Sequence, residues 1–177
     1  VLTLSDPDVR NALGLEMATS LVETLEELDE EEIRCVVVQG AGGTFCAGGD
    51  VKAMIEGVAT DMPVDERVDD YGVPTNRAVQ TLYECPVPTV AKVDGAAFGA
   101  GAALAIACDV VLASESAVIG FVFNQVGLSV DGGTSYLLPR VVGRNTALEL
   151  VLTGEVCDAE RAADLGLFNH VYPDEDF

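Results

Sequence analysis

Positive charge is scarce in this chain: nine lysines and arginines stand against 30 aspartates and glutamates, a formal net charge of −21. Lys52 and Lys92 are the only lysines. A surface this acidic repels phosphate backbones, which excludes nucleic acid as a partner. Tryptophan is absent and histidine occurs once, at His170. A serine–histidine hydrolase would need an activated serine beside it, and no pattern nominates one. The five cysteines are odd in number and lack C-x-x-C spacing, so they form neither a disulfide framework nor a metal-ligand pattern, and reduced, buried thiols are expected. No apolar run reaches membrane-spanning length, and the first residues lack the basic and apolar regions of a signal peptide. The expectation is a cytoplasmic protein with no membrane partner. No G-x-x-x-x-G-K-[ST] occurs and no G-x-G-x-x-G follows a strand, which excludes the common nucleotide loops.

What remains is ample for one core. The 177 residues are 49% apolar, enough for a single domain spanning 1–177. An acidic excess spread along the chain with almost no lysine fits a halophile's salt-rich cytoplasm, where the screening length falls to about 3 Å and like charges cease to strain the fold. Apolar spacing predicts an amphipathic helix over Leu15–Asp29. Strand-like runs occupy Val1–Leu4, Cys35–Gln39, Pro88–Asp94, Val110–Ala113, Ala117–Gly120 and Phe168–Val171. Further helices are expected at Val51–Val58, Thr75–Glu84, Ala100–Cys108, from Gly133 to about Gly143, and at Glu149–Leu152 and Ala159–Leu165. Ala59–Val73 is polar, weakly periodic and expected to be mobile. Strands alternating with helices predict an α/β fold.

Two glycine-bearing segments follow strands: Phe45-Cys46-Ala47-Gly48-Gly49-Asp50 and Gly95-Ala96-Ala97-Phe98-Gly99-Ala100-Gly101. The second opens a helix of small residues, whose first amides are unpaired and carry the positive end of a dipole. Bare backbone N–H groups brought together in this way can stabilise a developing anion. Glycines that merely make tight turns would leave the same pattern.

These segments, with Asn11-Ala12-Leu13, Ala107-Cys108-Asp109, Leu138–Gly143 and Ala159–Val171, resemble the enoyl-CoA hydratase/isomerase (crotonase) family over nearly the whole chain. The resemblance implies a spiral of ββα units in place of a doubly wound sheet. It also implies a homotrimer or dimer of trimers, and the C-terminal helices that build the trimer in relatives are apparently absent from this chain. The implied substrate is an acyl-CoA thioester, with coenzyme A as part of that substrate and no separate cofactor or metal. Family position makes the backbone N–H groups of Ala47 and Ala100 the oxyanion donors. Substrate or CoA contacts are implied at Arg10, Ala12, Ala47, Gly49, Asp50, Gly99, Ala100 and Phe123. Arg10 would meet nucleotide phosphates, and Asp50 also suits a helix cap, while Asp109 is expected to be structural. Asn124 and Gln125 are expected in structural hydrogen bonds more than in substrate contact.

The chain departs from the hydratases at two positions. Where those enzymes carry glutamates it has Ala103 and Phe123, and neither can move a proton. Asp131 remains, at a place where isomerase and dehalogenase branches of the family carry an aspartate. It is expected either to act as a base or to cap the helix after it. Apolar neighbours would raise its pKa toward neutrality. The resulting expectation is a double-bond isomerase that moves a proton between the α- and γ-carbons of a 3-enoyl thioester. The open alternatives are a hydratase with atypical acid/base residues, an acyl-CoA dehalogenase and a non-catalytic acyl-CoA-binding subunit.

Overall fold

The computed structural model describes residues 1–177. Five parallel strands form the main sheet: β1 (Leu2–Leu4), β2 (Val36–Gly40), β3 (Thr89–Val93), β5 (Val110–Ser114) and β8 (His170–Tyr172), in that spatial order. Their order never reverses, so the sheet lacks the crevice of a doubly wound fold. A smaller sheet pairs β4 (Ala96–Phe98) with β6 (Val118–Gly120) in parallel and β6 with β7 (Val156–Asp158) antiparallel. After β3 and again after β5 the chain crosses from the main sheet to the small one. Cys46 makes the same crossing after β2, bridging to Ala97. Repetition of strand, short strand and helix is the ββα spiral. No helix is long and apolar enough to cross a membrane.

Helix α1 (Leu15–Glu26) buries Ala18, Leu21, Val22 and Leu25, the stripe that its apolar spacing marks. It packs on α4 (Val73–Tyr83), which buries Ala78, Val79 and Leu82. Helix α5 (Ala100–Ala107) differs: all eight residues are buried. Its environment explains its composition, because a side chain at Gly101 would run into the backbone carbonyl of Cys46. Helices α6 (Thr134–Val142), α7 (Arg144–Thr153) and α8 (Ala159–Asp164) complete the described chain.

Three parts differ from the sequence expectations. Ala59–Val73 is largely helical: α2 (Val51–Ala59) is followed by α3 (Val64–Arg67), and a π-helical turn over Val68–Gly72 runs into α4. In that turn the Val73 N–H donates to the Val68 carbonyl, and Pro74 follows with no N–H to give. Strands β4 and β7 are additional to the expected ones; at three residues each they are too short to show alternation. Of the cysteines, Cys46, Cys108 and Cys157 are buried, whereas Cys35 is exposed and Cys85 half-buried; none is paired.

Candidate active site

Two backbone segments meet at the edge of the small sheet. Cys46 donates its N–H to the Ala96 carbonyl (3.0 Å) and accepts from the Phe98 N–H (3.0 Å). This fixes the turn after β2 against the start of α5. Gly48 is the point of closest approach: at φ +103° it adopts a conformation that L side chains rarely adopt, and a Cβ there would lie 2.8 Å from the Phe98 carbonyl oxygen and 3.7 Å from the Ala100 nitrogen. Gly99, at φ +51°, turns the chain into α5 without a side-chain cap. The N–H groups of Ala100, Gly101 and Ala102 therefore have no intrahelical acceptor.

The other side of the turn is stitched to the Arg10–Leu13 segment. The Ala47 N–H donates to the Arg10 carbonyl (3.0 Å), and the Leu13 N–H donates to the Gly48 carbonyl (2.7 Å). The first of these bonds corrects one expectation: the Ala47 amide already has an acceptor, so it is not a free oxyanion donor. The amide of Gly49 has no hydrogen-bond acceptor, whereas that of Gly48 is turned toward the Cys46 sulfur; both residues line the cleft with Ala47 and Ala100. Asn11 organises this segment, a role that its place in the Asn-Ala-Leu motif did not reveal. Fully buried at φ +56°, it donates through Nδ2 to the carbonyls of Ala41 (2.8 Å) and Thr44 (2.7 Å) and accepts from the Asp6 N–H (2.9 Å). Asparagine is among the few residues that tolerate this backbone conformation, which was the available sequence signal.

The cleft encloses about 140 Å³ and is lined by Gly49, Phe98, Gly99, Ala100, Phe123 and Asp131 among others. Asp131 is the only titratable side chain in that lining. Its Oδ1 is buried without a hydrogen-bond partner, and desolvation raises its pKa above the ordinary 3.8. It does not cap the following helix. Gly133, at φ +69°, occupies the N-cap of α6, and it is the backbone carbonyl of Asp131 that accepts the Thr134 N–H (2.9 Å). Beside it the Thr134 hydroxyl is also buried and unpartnered. Ala103 is buried with its methyl facing Gly132, whose Cβ would sit 3.3 Å away. The Phe123 ring is buried beside Gly99. The thiol of Cys46 lies behind the turn, and burial pushes its pKa up to about 11, so it is no nucleophile near neutral pH.

Beyond Asp131 the cleft continues into a larger chamber of about 590 Å³, walled by Ile55, Val58, Val64, Val68 and Tyr71 together with Arg67. Val51, Met54, Val126, Leu128 and Asp131 line both spaces. The site therefore joins unpaired amides, one desolvated carboxyl group and an apolar chamber. This arrangement suits the activation and deprotonation of a carbonyl compound with an apolar tail.

Of the remaining expected residues, only Gln125 belongs to the cleft lining. Asp50 caps α2, accepting from the Ala53 N–H (2.9 Å). Arg10 is exposed and makes no ion pair, and Ala12 is buried in the segment behind the turn. Asp109 holds the Thr89 N–H (2.8 Å) and hydroxyl (2.9 Å), a structural role. Asn124 and Gln125 donate to the Leu152 (3.1 Å) and Gly154 (3.3 Å) carbonyls. His170 sits exposed on β8. No group of three or more His, Cys, Asp or Glu is placed to hold a metal ion.

The family model for enoyl-CoA hydratase/isomerase matches residues 1–177. The chain belongs to the enoyl-CoA hydratase/isomerase family. It is 39% identical over 177 residues to a probable enoyl-CoA hydratase of Rhodobacter capsulatus, covering 100% of this chain and 66% of that protein. It is 38% identical over 181 residues to the 1,2-epoxyphenylacetyl-CoA isomerase of Escherichia coli, covering 98% and 66%. A crystal structure of an enoyl-CoA hydratase from a Polaromonas species superposes with a TM-score of 0.90 at 39% identity, covering 98% of this chain and 67% of that one. The chain thus spans about two thirds of the length of these members of the enoyl-CoA hydratase/isomerase family.

Proposed function

We propose that this enoyl-CoA hydratase/isomerase family member shifts the double bond of an enoyl-CoA thioester, with Asp131 as the proton carrier. The observation that supports this reading is the solitary, desolvated Asp131 carboxyl group in a cleft that holds no second titratable side chain. The thioester oxygen would accept from the Ala100 N–H and from the unpaired Gly49 N–H. A donor of this kind contributes about 2.7–4 kcal/mol when its bond strengthens in the transition state. Asp131 would remove a proton from the α-carbon of a 3-enoyl thioester. The released electron pair moves into a dienolate whose charge rests on the thioester oxygen, and the protonated Asp131 returns the proton at the γ-carbon to give the 2-enoyl product. One carboxyl group suffices, because the proton removed and the proton returned pass through the same atom. Addition of water asks for acid and base work on two reactants at once, which the lone carboxyl group favours less.

Arg10, exposed beside the turn, is proposed to meet the phosphates of coenzyme A. A trimeric assembly and a salt-rich cytoplasm complete the reading. The test is turnover of a 3-enoyl-CoA by the full-length protein in D₂O at molar KCl, with products resolved by mass. Conversion to the 2-enoyl isomer, reduced about 10²–10⁴-fold in Asp131→Asn, is the expected result, with deuterium entering the γ-carbon only to the extent that the Asp131 proton exchanges with solvent before its return. Equal rates in both proteins would remove Asp131 as the base, and acyl-CoA binding without turnover would favour a non-catalytic subunit.

A further inference from the structure

The chamber beside the cleft is apolar except at two places, Asp131 at its junction with the cleft and Arg67 in its wall. Arg67 ends α3. Its Nε is buried with no hydrogen-bond partner, and its guanidinium enters no ion pair. Of the nine cations only Arg77 and Arg161 pair with carboxylates, Glu26 and Glu155; among the unpaired ones Arg67 alone has a buried nitrogen without a partner. The exposed neighbours Asp65, Glu66 and Asp69 leave Arg67 unpaired. Two features thus coincide: a cavity of acyl-group size and a cation whose buried donor has nothing to bond. A plain hydrocarbon tail would fill the cavity and leave that donor unsatisfied, at a cost in affinity.

We propose that the chamber takes an acyl group whose far end carries a carboxylate, and that Arg67 selects it. The two polar groups divide the labour. Asp131 lies where the chamber opens to the unpaired amides, so it faces the carbons near the thioester, whereas Arg67 faces the tail. The guanidinium fork matches a carboxylate in shape and charge, and Nε together with one Nη can hold both oxygens.

This inference rests on the acyl-CoA reading, and a binding measurement separates the two. Saturated, unreactive thioesters are titrated calorimetrically into the full-length protein at molar KCl, in pairs of equal length: butanoyl- with butanedioyl-CoA, hexanoyl- with hexanedioyl-CoA, and octanoyl- with octanedioyl-CoA. The expected result is a preference of about tenfold or more for the carboxylate member in at least one pair. Arg67→Leu abolishes or reverses that preference, and Arg67→Lys, which keeps the charge but not the fork, retains part of it. Binding of both members with no preference at any length overturns the proposal and leaves the acyl-CoA reading standing. A preference that Arg67→Leu leaves unchanged, or an equal loss of both members in that variant, overturns it as well, the latter by showing that Arg67 serves the pocket's shape or Asp131 instead of the tail. Failure of every thioester to bind overturns both readings.

Discussion

The cleft and the chamber lie side by side and are built in opposite ways. Around the cleft, main chain does the work: Gly49 and Ala100 present amides, while Cys46, Ala97 and Ala103 behind them are fully buried. The chamber is walled by side chains that the core does not claim; Ile55, Val58 and Val64 remain 63%, 58% and 66% exposed. A part built from backbone is positioned by everything packed behind it, so it tolerates almost no added atom. A part built from exposed side chains can be recut without touching the fold. On the proposed function the contrast would separate activation of the thioester from recognition of its tail, so that each could be disturbed alone.

The largest effect is expected at Gly101. A methyl there would collide with the Cys46 carbonyl, which is itself bonded to Phe98, so Gly101→Ala must push the two turns apart. A loss of about 1–3 kcal/mol in chemical denaturation should accompany a fall in kcat of two orders of magnitude or more; unchanged turnover in a folded variant would mean that the amides are not the activating group.

Asp131 sharpens the comparison from the other side, through pH. As a base it works ionised, so the rate should fall as pH drops through its raised pKa, placing the acid limb of kcat above the ordinary aspartate value of 3.8. Stability runs the opposite way. The folded protein holds this proton more tightly than the unfolded chain does, so the contribution of Asp131 is present at low pH and is lost as pH rises through the raised value. Asp131→Asn should therefore lose turnover at every pH, yet melt no lower than the parent at neutral pH. The smallest effect belongs to the chamber wall: Ile55→Ser should leave the melting curve within about 0.5 kcal/mol of the parent while raising KM for acyl-CoA.

The sequence exposed the main-chain half of the site more clearly than the side-chain half. Glycines at forced turns and a helix of small residues are visible in the sequence as such, and the family resemblance supplies the expectation that the two segments meet. Which amide stays free could not. The acceptor that occupies the Ala47 N–H is the carbonyl of Arg10, far upstream, and no spacing rule announces such a bond. Asp131 suits a base and a helix cap alike by residue type, and the placement of Gly133 at the cap position removes the second role. Ala59–Val73 was illegible as helix for a related reason. Val64 and Val68 face the chamber and not the core, so the stripe that marks a core-facing helix is missing, and the π-helical turn breaks its period further.

Every residue except proline brings an amide N–H, so the donors at Gly49 and Ala100 cannot be deleted by exchanging one side chain for another. Point mutation can displace them, but it seldom removes them. The proton-handling side has no such protection: one codon decides whether Asp131 is a carboxylate, and single codons also set Ala103 and Phe123. In a duplicated gene the capacity to activate a thioester would thus be inherited almost intact, while the reaction that follows activation would be open to rapid change.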